Sequence, residues 1–206
     1  LCALLTAMLI LTHSGRIGAA GETARPDAIR AGLARVCITP DKPLWLQGYG
    51  SQSRFKPFAG KLNDLFAKAM AIEDARGERA ILITLDLCVL RAAEANVLFE
   101  RLVKATGLER RQILVNLSHT HSGPIFGPSD VSRVPMPEEV KETTMAYTER
   151  LYGQIADVAV AAMADLKPAT LGWGTGKCDF VRNRRLYHAD GSYRGMGPNA
   201  DKYVDN

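Results

Sequence analysis

His119 and His121 stand two apart in the run Ile113-Leu114-Val115-Asn116-Leu117-Ser118-His119-Thr120-His121-Ser122-Gly123-Pro124. Imidazole is the commonest side-chain ligand for transition metals and exchanges protons near neutral pH. The run is short, rich in branched residues and closed by Gly-Pro, which predicts a strand. On a strand, residues two apart point to one face, so both imidazoles project together while Thr120 points away. Gly123 and Pro124 stop the strand and put the pair at its carboxyl end. Two neutral imidazoles converging on one point can begin a zinc site. The bland alternative is a pair that caps the strand and bonds to backbone. The pairing on one face at a strand end favours metal binding or catalysis.

The elements around the pair follow from periodicity. Residues 31–38 alternate apolar and polar and close on Thr39-Pro40-Asp41, a strand and a turn. Residues 44–61 are rich in Gly, Ser, Gln and aromatics and predict a long functional loop. Trp45, Tyr49 and Phe55 could line an apolar entrance there or pack locally. Apolar runs at 65–73 and 79–87 flank Asp74-Ala75-Arg76-Gly77, a hairpin signal. Residues 92–105 carry Ala95, Leu98, Phe99, Leu102 and Val103 at helical spacing, and Gly107 ends that helix.

Strand, helix and strand over residues 79–118 predict a parallel βαβ unit. Asp86 and His119 would then share one rim, the side on which open α/β sheets bind ligands. Asp86 either orients His119 from behind or caps its own strand. Residues 123–144 hold four prolines and read as a loop over that rim. Met145, Thr148, Leu151, Ile155, Val158, Ala162 and Leu166 mark a long helix that Pro168 ends. Residues 169–176 read as another strand, and the pattern from Lys177 onward is irregular. His188, in Tyr-His-Ala-Asp-Gly, reads as a surface turn. The predicted class is α/β, with layered sheets flanked by helices, a parallel βαβ unit and an incomplete domain.

The chain has 206 residues, 47% hydrophobic and 23% charged, ordinary for a globular protein. A formal net charge of +4 without a long basic run gives no case for nucleic-acid binding. Residues 1–11 are nearly all apolar, and Gly18-Ala19-Ala20 supplies small residues before Gly21. Residues 1–20 therefore read as a secretory signal peptide lacking its basic start, which predicts a secreted or periplasmic protein. Of four cysteines, Cys2 falls in that segment. Cys37 and Cys88 lie in apolar runs and read as buried thiols, and Cys178 as exposed. No two have CxxC spacing, so a cysteine zinc site is not expected.

Several blocks in order carry a family resemblance: residues 31–40 ending in Ile-Thr-Pro, Gly48-Tyr49-Gly50, Leu85-Asp86-Leu87, then Ser118-His119-Thr120-His121-Ser122-Gly123-Pro124, and Asn183-Arg184-Arg185. Together they resemble the neutral/alkaline non-lysosomal ceramidases over residues 31–206, the amino-terminal part of that family's catalytic domain. The resemblance implies hydrolysis of the ceramide amide with one Zn2+ ion and a place in sphingolipid metabolism. It matches His119 to the first zinc ligand, His121 to a histidine beside the metal that meets substrate, and Arg184 to an active-site arginine. The family's remaining ligands and its active-site serine have no match before Asn206. Ile125-Phe126 and Arg185 stand where the well-studied members usually carry Gly-Gly and Ser. Two alternatives stay open: a related zinc hydrolase of another acylated amine or ester, and a non-catalytic binding protein on the same fold. A lipid-like substrate also implies contact with a membrane surface.

Overall fold

A computed structural model describes residues 29–49, 56–177 and 183–197. The predicted signal peptide, Cys2, Gly50, Phe55 and Cys178 lie outside the described residues. The chain divides into two units, Leu1–Thr170 and Leu171–Asn206.

The first unit is a five-stranded sheet with helices. Its strands are β1 (Arg30–Cys37), β2 (Phe66–Glu73), β3 (Arg79–Leu85), β4 (Ile113–Leu117) and β5 (Lys167–Pro168), in the order β4-β3-β2-β1-β5. β1 pairs antiparallel with β2, and β2 with β3. Asp74 makes the second of these turns, its Oδ1 accepting the N–H groups of Arg76 and Glu78 at 2.9 Å. The helix α1 (Ala92–Thr106) then crosses the sheet, so that β3 and β4 pair in parallel from Ile81↔Ile113 to Leu85↔Leu117. The sheet is mixed, and its βαβ unit is the one that the spacing predicts.

Alternation decides which sheet face is buried. Ala67, Ala69, Ala71, Ile81, Ile83 and Leu85 point inward and pack against Leu98 and Leu102 of α1. The long helix α3 (Glu138–Ala164) adds Leu151, Ile155, Val158 and Ala162 to the same core. Each fully buried Leu or Ile side chain contributes roughly 1.5–3 kcal/mol. Small residues let α3 lie close to β1: a Cβ on Gly32 would stand 2.1 Å from the Ala162 carbonyl oxygen.

Several expectations need correction. α3 starts seven residues before Met145, inside the segment read as a loop, and α2 (Pro128–Arg133) lies there too. Proline fits the first turn of a helix, and Glu138 and Glu139 suit the amino-terminal dipole. Residues 169–176 form no strand. After Lys167–Pro168 the chain leaves the sheet, since Gly172, Gly174 and Gly176 offer no side chains to bury. Cys37 is exposed, because the inward positions of β1 are Gly32, Ala34 and Val36. Of the two readings left open for Trp45, the structure shows packing, since it is buried with Ile125 and Met136. Val103 is partly exposed, and Glu94, outside the apolar set of α1, is buried.

The second unit holds a hairpin of β6 (Arg185–Tyr187) and β7 (Tyr193–Met196). His188 sits exposed in its turn, where its N–H donates to Ser192 C=O at 2.9 Å. Among the described residues no helix is long and apolar enough to cross a membrane.

Gly32 and Gly153 make a paired test of the packing. The Cβ of Gly32→Ala meets immovable backbone, so this change should cost about 3 kcal/mol or prevent folding. Gly153 lies in α3 with nothing within 4 Å, so Gly153→Ala should stabilise by roughly 0.5–1 kcal/mol. Urea unfolding of the two variants measures both.

Candidate metal centre

The site forms where the parallel strands end. Beyond Leu85 and Leu117 the two chains stay joined: Ser118 N–H donates to Leu85 C=O at 3.1 Å, and Thr120 N–H to Leu87 C=O at 3.2 Å. His119 has already left the strand conformation, with φ +54°. A non-glycine residue in the left-handed region stores strain and is a common mark of a functional position. The His119 ring is tied on one side, its Nδ1 2.8 Å from the Cys88 carbonyl oxygen. A carbonyl only accepts, so Nδ1 carries the proton and Nε2 keeps its lone pair.

That lone pair faces His121. The two Nε2 atoms are 3.1 Å apart and the ring planes meet at 69°. The rings converge through the turn after β4, not as neighbours on a strand. Two imidazole nitrogens bound tetrahedrally to one zinc at about 2.0–2.1 Å stand ~3.3 Å apart. The pair therefore fits a shared ion, and equally a ligand beside a proton carrier. The buried Cys88 thiol lies 3.7 Å from His119 Nδ1, and the Cys88, His119 and His121 donor atoms all fall within 4.8 Å of one another. Burial, and then the Asp130 carboxylate, pushes the Cys88 thiol above its ordinary value, so it stays protonated without a metal.

The loop at 44–49 seats His121. Gln47 exchanges backbone bonds with the turn, its N–H donating to Gly123 C=O at 2.8 Å and its C=O accepting from Ser122 at 2.9 Å. Gly48 has φ +103°, and a Cβ there would come 2.5 Å from His121 Cγ. Tyr49 meets the His121 ring edge-on at 4.8 Å.

A polar network backs the site. Asp130 of α2 is buried; its Oδ1 accepts from Arg91 Nε at 2.8 Å and from Nη2 at 2.7 Å, while Oδ2 accepts from Gln47 Nε2. Glu94 holds α2 in place, its Oε1 accepting from Ser129 N–H at 2.8 Å. Gln47, Arg91 and Asp130, with Arg133, Val89, Ile125 and Val134, line a cavity of about 470 Å³ that opens on both histidines.

Asp86 lies directly after β3, beside the segment leading to His119, and its Oδ2 accepts from Phe66 N–H at 2.9 Å. The group on His119 Nδ1 is the Cys88 carbonyl. Arg184 is exposed in the second unit, where its carbonyl accepts from Gly197 N–H at 3.1 Å. Sequence reasoning missed Gln47, Arg91, Asp130 and Arg133. They come from three separate segments, the loop at 44–49, the start of α1 and α2, and only the fold joins them.

No family model and no curated protein matches this chain. Solved structures do. The fold is similar to part of two ceramidase structures. A neutral ceramidase from Pseudomonas aeruginosa superposes with a TM-score of 0.55 and 25% identity, over 69% of this chain and 22% of that one. A ceramidase complexed with C2 gives a TM-score of 0.61 at 22% identity, over 81% and 30%. The chain thus spans less than a third of either relative.

Gly48→Ala tests the seating of His121. Histidine-selective NMR should show the His121 ring signals displaced, while those of His188 stay in place. Unmoved His121 signals would mean that the ring does not rest on Gly48.

Proposed function

We propose that this chain carries part of the active site of a zinc-dependent hydrolase that cleaves the amide of ceramide or a related N-acyl lipid. The observation that carries the reading is the convergence of the His119 and His121 Nε2 atoms on a cavity at the carboxyl ends of a parallel strand pair. The structural likeness to ceramidases supports it. On this reading residues 21–206 are the amino-terminal portion of a longer catalytic domain, and residues 1–20 direct it out of the cytoplasm, secreted or periplasmic.

His119 would hold the metal through Nε2, with its ring fixed by the Cys88 carbonyl. Zinc, when bound, polarises an amide carbonyl and lowers the pKa of water. His121 Nε2 sits where a proton can pass between water, substrate and leaving amine. Hydrolysis forms a C–O bond to the acyl carbon and breaks its C–N bond, and the amine leaves with the proton. Arg184 is assigned to the substrate oxygen, which a guanidinium would hold as charge develops. Asp86, bound to Phe66 N–H, acts by holding the strand ends in register beside His119. Leu46, Val89 and Ile125 give the acyl chain an apolar wall, and substrate delivery would occur at a membrane surface.

The test uses the protein from its complete reading frame, assayed against ceramide and short N-acyl amines. His119→Ala should lose both zinc and turnover. His121→Ala should keep most zinc and lose about 10²–10⁴ in kcat. Arg184→Lys should lower turnover with zinc unchanged, and Arg185→Lys should do little. Full turnover after metal removal, or in His119→Ala, would contradict the reading. Turnover of other acylated amines or esters without ceramide would correct the substrate alone.

A further inference from the structure

The cavity beside the histidines has more positive charge than a neutral lipid needs. Its walls carry two guanidinium groups, Arg91 and Arg133, and one carboxylate, Asp130. Asp130 is already engaged, with Oδ1 on Arg91 and Oδ2 on Gln47. Among the described residues Arg133 has no carboxylate partner. Arg91 is a held group. Asp130 takes its Nε–H and one Nη2–H, which leaves roughly three of the five guanidinium donors. Its side chain is 33% exposed, so a ligand can reach it. Glu94, through Ser129 N–H, fixes the short helix that carries both Asp130 and Arg133. Val89, Ile125 and Val134 also line the cavity and suit an acyl chain.

We propose that this cavity takes an acyl compound bearing an oxyanion, a carboxylate or a phosphate, near its scissile bond, with Arg133 and the preoriented Arg91 binding that group. The arginine–carboxylate fork is among the strongest polar contacts in proteins, and a donor already held in place loses little entropy on binding. Arg133 sets the specificity, and Gln47 and Asp130 position Arg91. The proposal extends the hydrolase reading to a substrate class, but the binding itself does not depend on hydrolysis.

The experiment titrates the folded chain with three probes of equal acyl length: N-octanoylglycine, N-octanoylethanolamine phosphate and neutral N-octanoylethanolamine. Calorimetry or NMR shifts give the affinities. At low salt at least one anion should bind about tenfold more tightly than the neutral probe, and the tighter anion names the group. Arg133→Ala should erase that ratio and Arg133→Lys should keep part of it. Equal affinity for all three, an anion preference that survives Arg133→Ala, or no binding of any probe would each overturn the proposal. The same probes are then offered to the complete enzyme. Anion-selective binding without hydrolysis of any N-acyl compound would sink the hydrolase reading and leave this one standing. Faster hydrolysis of the neutral probe with no loss in Arg133→Ala would do the reverse.

Discussion

The contact on which the site depends is the hydrogen bond from His119 Nδ1–H to the Cys88 carbonyl. It joins the segments that leave β3 and β4 and so uses the parallel pairing of those strands. It selects one tautomer and aims Nε2 into the cavity. It also helps hold His119 at φ +54°, a conformation that an unsupported histidine seldom adopts. The bonds of Ser118 to Leu85 and of Thr120 to Leu87 brace the same turn on either side. Strain at one residue is thus offset by a backbone that the sheet has already fixed.

Everything behind that contact serves to keep the strand ends still. One sheet face is packed against α1 and α3, with small residues in β1 and β2 where the helices come closest. The second imidazole is placed by a different segment, the loop at 44–49, whose Gly48 leaves room for the His121 ring. Three connections therefore meet at the cavity: the loop after β3, the turn after β4 and the loop at 44–49. A partly buried Arg91–Asp130–Gln47 network ties the first and third of these to α2. Removing Arg91 would strand the buried Asp130 carboxylate without its cation, so the network also resists movement.

Much of this was legible in the sequence, for physical reasons. The β2–β3 hairpin, α1 and the βαβ crossover show because their side-chain periods of 2 and 3.6 are undisturbed. The histidine pair shows because its residue types are chemically loud and its spacing is short. The reason for its convergence does not show: strand alternation suggests it, whereas a left-handed turn at His119 produces it. α2 and the start of α3 were hidden by prolines, which break a helix interior but suit its first turn. Arg91 and Asp130 were hidden because partners 39 positions apart leave no local pattern. The run at 169–176 resembled a strand by composition, yet tertiary packing gave its glycines nothing to join.

The most direct test of the account is the protonation pattern of the His119 ring in the metal-free chain, read by long-range proton–nitrogen NMR at mildly alkaline pH. The account predicts a protonated Nδ1 and an Nε2 with a free lone pair, and loss of that lone-pair signature when Zn2+ is added. A protonated Nε2, or a ring signal that Zn2+ leaves unchanged, would contradict it.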